Sequence, residues 1–415
     1  MKIKKTPKEI LKTLWGYDNF KPLQEEIINS IVSWKDTLAI LSTGYWKSIC
    51  YQISSQIFDG LTIIISPLLS LMEDQVDNID KFNEINELKS KGIQAIYLNS
   101  LLTKEEKTKN ISRILAWEIK LLYISPEKFC SKSFIDLLKD IPISQIVIDE
   151  AHCIKLYWDS WFRKSYKELG DYIEKLKDIN KKIVISAFTG TATTSTINII
   201  KEVLRMKSPK EFKSNSIREN FYIYTSYEDS KKIAEEKLIR LCLSLKDIEG
   251  KILIFPGTIK ATKTISSLLK TAKLESAHFY AWLSATRKKS LQKKFKEGDL
   301  KFLIATSAFW MWVDIPDIRV VIHFCAPLDM ESYVQEIWRA WRDWKETLAV
   351  LLTCSKDVAS SRFMINWKEN KIEAMKEFEL FLDYIKSNYC KQNLIEKYFN
   401  KKSSLDCLKC NSCNW

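Results

Sequence analysis

Leu41-Ser42-Thr43-Gly44-Tyr45-Trp46-Lys47-Ser48 closes a short apolar run, Thr37–Leu41, and opens a segment of helical character. A strand that turns sharply into a helix N-terminus lets backbone N–H groups and the helix dipole hold a phosphate. Lys47 then has the place of the lysine that reaches the β- and γ-phosphates, and Ser48 that of the hydroxyl on Mg²⁺. Thr43 and Gly44 belong to the same loop. Trp46 contradicts it. Such a loop needs glycine just before its lysine, because the backbone must curl around the phosphates with its N–H groups inward. An indole at that point fills the volume a nucleotide needs.

The contradiction is visible in the composition. Nine glycines in 415 residues are about 2%, where ordinary proteins carry ~7%. Tryptophan, at 14, is correspondingly abundant. We read many of these tryptophans as glycines in the natural protein, the pattern left by a stop codon reassigned to glycine. The other reading is a chain rich in tryptophan that stacks its indoles on nucleic acid.

A net charge of +13 suits a polyanionic partner without proving one, since a biased genome also enriches lysine. Met1-Lys2-Ile3-Lys4-Lys5 precedes no apolar segment long enough for a signal peptide or membrane span, which points to the cytoplasm.

Short β-branched runs alternate with charged amphipathic ones, as in parallel sheets covered by helices. The first set is Thr37–Leu41, Thr62–Ser66, Ala95–Asn99, Lys120–Ser125, Gln145–Asp149 and Lys182–Ala187. A polar stretch from Lys207 to Asn220 reads as sheet-poor. Strands resume at Tyr222–Thr225, Lys251–Phe255, Ser276–Ala281, Phe302–Thr306, Val320–Phe324 and Leu348–Thr353. After Thr353 the pattern is helical and charged. Two α/β lobes in tandem account for this alternation.

Ile146-Val147-Ile148-Asp149-Glu150 supplies the second half of a nucleotide site. An apolar strand ends in two carboxylates, Asp149 suited to the metal and Glu150 to activating the attacking water. An isolated Asp-Glu at a strand end is often only a solvated cap. Following Lys47-Ser48 by about one hundred residues, in the order such a site needs, it reads as catalytic.

Cys390, Cys407, Cys410 and Cys413 form C-x16-C-x2-C-x2-C, four thiolates able to surround Zn²⁺ tetrahedrally. In a reducing compartment metal binding is favoured over disulfides, and an iron–sulfur cluster needs the same four ligands. Cys50, Cys130, Cys153, Cys242, Cys325 and Cys354 are scattered and read as reduced core residues. His278 and His323 fall in strands and read as structural.

With Asp149-Glu150-Ala151-His152 in place, the chain resembles the RecQ family of superfamily 2 DNA helicases over essentially its whole length. Gly16-Tyr17-Asp18-Asn19-Phe20-Lys21-Pro22-Leu23-Gln24 is similar to the family's adenine-reading segment, which gives Tyr17 and Gln24 to the base. Lys21 stands where arginine is usual. Ser66-Pro67-Leu68-Leu69-Ser70-Leu71 resembles a motif that grips single strands, and Tyr123-Ile124-Ser125-Pro126-Glu127 its partner. Ser186-Ala187-Phe188-Thr189-Gly190-Thr191 is similar to the motif that couples hydrolysis to strand contact. Ala305-Thr306-Ser307-Ala308-Phe309-Trp310-Met311-Trp312-Val313-Asp314 resembles the fifth motif. Gln335-Glu336-Ile337-Trp338-Arg339-Ala340-Trp341-Arg342-Asp343-Trp344 resembles the sixth.

The resemblance implies two tandem RecA-like parallel-sheet lobes, residues 1–206 and 207–354, followed by a small helical zinc-binding module, 355–415. It implies ATP, Mg²⁺ and Zn²⁺. Gln335 would contact the nucleotide, and Arg342, with Arg339 second, would stabilise transition-state charge. Ser66, Pro67, Tyr157, Phe162, Arg163 and Thr191 would contact DNA, the middle three from an aromatic loop one residue longer than the common form. It also implies glycine at 34, 46, 117, 158, 282, 310, 312, 338, 341 and 344. Trp15, before a surviving Gly16, is acceptable as an aromatic, while Trp161, Trp367 and Trp415 are undecided. The expected activity is ATP-dependent 3′→5′ unwinding of single-stranded and forked DNA in repair and recombination, by a monomer with no membrane association. A nucleic-acid binder without hydrolysis, should the tryptophans be real, and an RNA helicase are the alternatives.

Overall fold

The computed structural model describes residues 6–41, 47–67, 69–85, 92–100, 102–157, 164–180, 182–214, 220–306, 309, 315, 317–338, 340, 345–368, 370–399 and 406–413. The chain forms two compact units, Met1–Ser214 and Asn215–Trp415.

The first unit holds a seven-stranded sheet of β1 (Thr37–Ile40), β2 (Leu61–Ile65), β3 (Ala95–Leu98), β4 (Leu121–Ile124), β5 (Ile143–Ile148), β6 (Val184–Thr189) and β7 (Lys210–Lys213). The spatial order is β3-β4-β2-β5-β6-β1-β7, and every pairing is parallel. Parallel strands need crossover helices, which cover both faces and explain the near-continuous apolar runs. Along β1 and the residue after it, Leu38 and Ile40 face one core while Ala39 and Leu41 face the other.

The second unit holds β8 (Phe221–Glu228), β9 (Lys251–Phe255), β10 (Ser276–Phe279), β11 (Phe302–Ala305), β12 (Ile318–His323) and β13 (Thr347–Cys354). Their order is β10-β11-β9-β12-β13-β8, again parallel throughout. Ile252 and Ile254 bury into one core, Leu253 and Phe255 into the other. The second of these cores also takes in Phe378, Phe381 and Ile385 from the helix Lys371–Lys386, and Ile395 from Lys391–Tyr398.

One expectation fails. The stretch 207–220 contains a strand, β7, which pairs with β1 in register Thr37 to Lys210 through Ile40 to Lys213. Lys-Glu-Phe-Lys buries only Phe212, so its side chains carry almost no apolar signal. Backbone hydrogen bonds along an edge are enough to hold it, and charge suits an edge strand. The other strands match the sequence pattern to within two or three residues at their ends. No helix among the described residues is long and apolar enough to cross a membrane.

Candidate functional site

The strand order brings β5, β6 and β1 side by side, so their carboxyl ends form one edge of the first sheet. In parallel sheets ligands bind outside such an edge. Hydrogen bonds carry the ladder past the strands: Asp149 N–H to the Ile65 carbonyl at 2.9 Å, Ala151 N–H to that of Phe188 at 2.8 Å and Leu41 N–H to that of Thr189 at 3.0 Å. The carboxylates and the end of β6 are thereby fixed to the same framework.

Lys47 and Ser48 begin the helix Lys47–Ile57. A buried polar chain ties it to the sheet. Ser54 Oγ donates to Gln145 Oε1 at 2.8 Å, and Gln145 Nε2 donates to Ser186 Oγ at 2.8 Å, linking the helix to β5 and β6. Lys47 Nζ is buried and has no hydrogen-bond partner among the described residues. Glu150 Oε1 lies 3.9 Å away. A buried ammonium is costly without paired and hydrogen-bonded acceptors, so this atom fits an anionic ligand such as a phosphate.

Glu150 sits in the left-handed region, with φ 47°. Backbone strain of this kind costs about 1–3 kcal/mol and concentrates at functional sites. Asp149 Oδ1 accepts the Glu150 N–H at 2.9 Å, which fixes the turn. With Ser48, Asp149 offers the hard oxygen donors that Mg²⁺ takes. His152 Nδ1 lies 3.4 Å from Glu150 Oε2 and 3.0 Å from Thr189 Oγ1. Since the Thr189 hydroxyl donates to the Thr191 carbonyl at 2.9 Å, it accepts from His152, and the proton is assigned to Nδ1. His152, Thr189 and Thr191 thus form one hydrogen-bonded line that ends at the segment after β6, and the Glu150 carboxylate lies against its His152 end.

His152 and Thr189 belong to the motifs, yet the sequence does not mark them as site residues. The strand end marks the two carboxylates, whereas the His152–Thr189 contact spans 37 residues and has no local signature. Thr191 is buried, and its role in the line is through its carbonyl. Ser66 follows β2, with its Oγ buried and unpartnered among the described residues. Tyr157 stacks on Tyr166 at 5.5 Å. Gln24 is buried, its Oε1 accepting the Lys21 N–H at 2.9 Å, and Tyr17 is exposed. Gln335 is half-buried on the helix Met330–Ile337. Thr43, Gly44, Trp46, Phe162, Arg163, Arg339 and Arg342 lie outside the described residues.

Cys390, Cys407, Cys410 and Cys413 converge, all four sulfurs within 4.8 Å of one another. Tetrahedral thiolates at a Zn–S bond of 2.3 Å stand about 3.8 Å apart, which this cluster matches. Backbone N–H groups of Lys391, Cys407 and Lys409 point at the sulfurs of Cys410, Cys390 and Cys407 at 3.3, 3.4 and 3.4 Å. Donors aimed at sulfur favour thiolates, the form that ligates metal. Lys391, 1% exposed, donates through Nζ to the carbonyls of Tyr384, Ile385 and Ser387, capping the helix Lys371–Lys386 beside the cluster. Burial lowers its pKa to about 8, with Cys410 pulling the other way. None of the remaining six cysteines is in a disulfide; Cys130 and Cys325 are half-buried and the others buried. His278 and His323 lie in β10 and β12.

Residues 21–200 match the DEAD/DEAH box helicase family model, and residues 234–343 match the helicase conserved C-terminal domain. ATP-dependent DNA helicase RecQ of Pasteurella multocida is 34% identical over 99% of this chain and 62% of its own length. That of Synechocystis is 32% identical over 81% of this chain and 68% of its own. The chain thus spans under two thirds of the first of these relatives. Among solved structures, helicase MrfA bound to DNA and AMPPNP superposes with a TM-score of 0.68 at 13% identity, covering 98% of this chain and 59% of that one. DEAD-box helicase Mss116 bound to ssRNA gives 0.67 at 18%, covering 88% and 76%. At these identities the likeness speaks for the fold: two parallel-sheet lobes of helicase type.

Proposed function

The chain belongs to the RecQ family of ATP-dependent DNA helicases, and from that premise we propose that it hydrolyses ATP to move 3′→5′ along single-stranded DNA and unwind forked DNA in repair and recombination. The observation that carries this reading is the buried Lys47 Nζ, with no hydrogen-bond partner among the described residues and 3.9 Å from Glu150. Lys47 binds the β- and γ-phosphates of the substrate. Glu150 orients the attacking water and accepts its proton. His152 and Thr189 transmit the state of Glu150 to Thr191, at the strand-contacting segment. Ser48 and Asp149 would hold Mg²⁺, which supplies charge neutralisation at the phosphate oxygens. Tyr17, Gln24 and Gln335 serve the nucleotide, and Arg342 or Arg339 stabilises transition-state charge.

Ser66, Pro67, Tyr157, Phe162 and Arg163 contact DNA. The four cysteines would hold Zn²⁺ with no open position, a structural role in the helical module 355–415 that follows two lobes, the first of which runs through β7. The work is that of a cytoplasmic monomer on nucleoid DNA. Basic residues hold the phosphate backbone, so affinity for single strands falls steeply with salt.

Trp46 itself supports a second reading, since a chain with an indole there binds nucleic acid without hydrolysis. DNA-stimulated ATP hydrolysis, measured on the Trp46→Gly form and on the unsubstituted chain, separates the two. The expected result is hydrolysis by the substituted form and unwinding of DNA forks in preference to RNA forks. A substituted form that binds DNA and never hydrolyses ATP sinks the enzyme reading.

A further inference from the structure

Trp34 and Trp117 have φ of 61° and 58°, the left-handed region that glycine favours. Each stands one residue past a helix C-cap, after Gln24–Val32 and Lys104–Leu115. The Trp34 N–H bonds to the Ile31 carbonyl at 2.8 Å and the Lys35 N–H to that of Ser30 at 3.1 Å. The Trp117 N–H bonds to the Ile114 carbonyl at 3.0 Å and the Glu118 N–H to that of Arg113 at 3.1 Å. These paired bonds define the Schellman cap, whose left-handed position is most often glycine.

Arg205 and Lys273 take the same cap, so an unbranched, flexible side chain tolerates it. A bulky ring there is a far rarer occupant. Trp34 recovers something by lying against Phe58, ring centroids 4.7 Å apart, and under Lys182 at 4.3 Å. Trp117 is 66% exposed, so it combines backbone strain with a solvated indole. Trp15 is the contrast. It lies in a helical turn, its ring is stacked on Phe82 at 6.0 Å, and Gly16 takes the left-handed position after it.

We propose that the source cell decodes positions 34 and 117 as glycine, that position 15 is a genuine tryptophan, and that position 46 follows the rule of the first two. The backbone and the shortage of glycine carry the claim for 34 and 117 without any appeal to helicase activity. Only the extension to 46 rests on the function proposed above. Glycine at 46 removes the side chain that contradicts the phosphate-loop motif.

Tryptic peptides of the protein isolated from its source cells test this directly. Residues 13–35 form one peptide that carries positions 15 and 34, an internal control, and residues 114–120 carry position 117. Fragment masses are expected to give tryptophan at 15 and glycine at 34 and 117. Tryptophan at 34 or 117 overturns the proposal, whatever the ATPase assay returns. A second arm uses the recombinant chain. Trp117→Gly is expected to raise Tm above both the unsubstituted chain and Trp117→Ala, although alanine is the better helix former. A Trp117→Ala variant as stable as Trp117→Gly overturns the backbone argument.

Discussion

Asn411 clasps both backbone groups of Thr225: its Oδ1 accepts the Thr225 N–H at 3.1 Å, and its Nδ2 donates to the Thr225 carbonyl at 2.9 Å. On either side, the Ile223 N–H bonds to the Lys409 carbonyl at 2.9 Å and the Asn411 N–H to that of Ile223 at 3.1 Å. Residues 409–411 therefore lie along the open edge of β8, and Cys410 sits in the middle of that rung. The cysteine cluster closes a sheet edge that would otherwise offer unpaired backbone groups.

Metal removal is expected to loosen that edge. With a chelator present, amide exchange at Ile223 and Thr225 should quicken while the amides of β1 and β5 keep their protection. Asn411→Leu, which removes both side-chain bonds, should cost roughly 1–3 kcal/mol in stability. Unchanged exchange at both amides after chelation would mean the cluster does not hold β8.

Thr189→Val keeps the shape of the side chain and removes the acceptor for His152. Losing one such bond is worth about 1–1.5 kcal/mol, so DNA-stimulated ATP hydrolysis in a Trp46→Gly background should fall ~10-fold. The KM for ATP should stay put, because Lys47 and the phosphates are untouched. A raised KM with unchanged kcat would place Thr189 in binding instead of coupling.

Glu150→Gln in the same background keeps the size of the side chain and removes the base. Hydrolysis should drop by ~10²–10⁴-fold, the range of general base catalysis, with nucleotide affinity retained. Lys47→Ala should instead lose affinity. Equal loss of affinity in both variants would contradict the separate roles.

Asp36 gives a pH-dependent stability. Burial pushes its carboxyl above the ordinary 3.8, only partly offset by the Ile185 N–H, which donates to Oδ1 at 2.9 Å, and by Lys177. The folded state therefore holds this proton more tightly than the unfolded one. Stability is lost as pH rises from the ordinary value through the raised one, and the penalty is complete above it. Asp36→Asn keeps the acceptor oxygen and cannot ionise. Its Tm should exceed that of the unsubstituted chain at pH 7, with the difference vanishing below about pH 3.8, the ordinary value. A difference of the same size at both pH values would assign the effect to packing.

The strands buried on both faces were legible because continuous apolar runs such as Leu61–Ile65 need no partner to be recognised. The β7 strand was not, since Lys210, Glu211 and Lys213 are exposed and only its backbone pairs with β1. The placing of Lys47 and Ser48 at a helix start, and of Asp149 and Glu150 just past a strand, was legible from the pattern. Gln145, buried between Ser54 and Ser186, looked like one more polar residue at a strand start, and nothing near it in sequence marks it as a strut.

By itself the sequence determined two parallel-sheet lobes, a lysine at a helix start and two carboxylates past a strand end, and a four-cysteine cluster. All of these are written in periods and spacings within single segments. Tertiary structure alone decided that β1, β5 and β6 are neighbours, that His152 joins Glu150 to Thr189, and that Asn411 reaches Thr225 across 186 residues. It also decided that two tryptophans end their helices in the left-handed region. Such facts depend on which distant segments pack together and on the path the chain takes between them. That choice is made by burying both faces of each sheet at once, and no single segment encodes it.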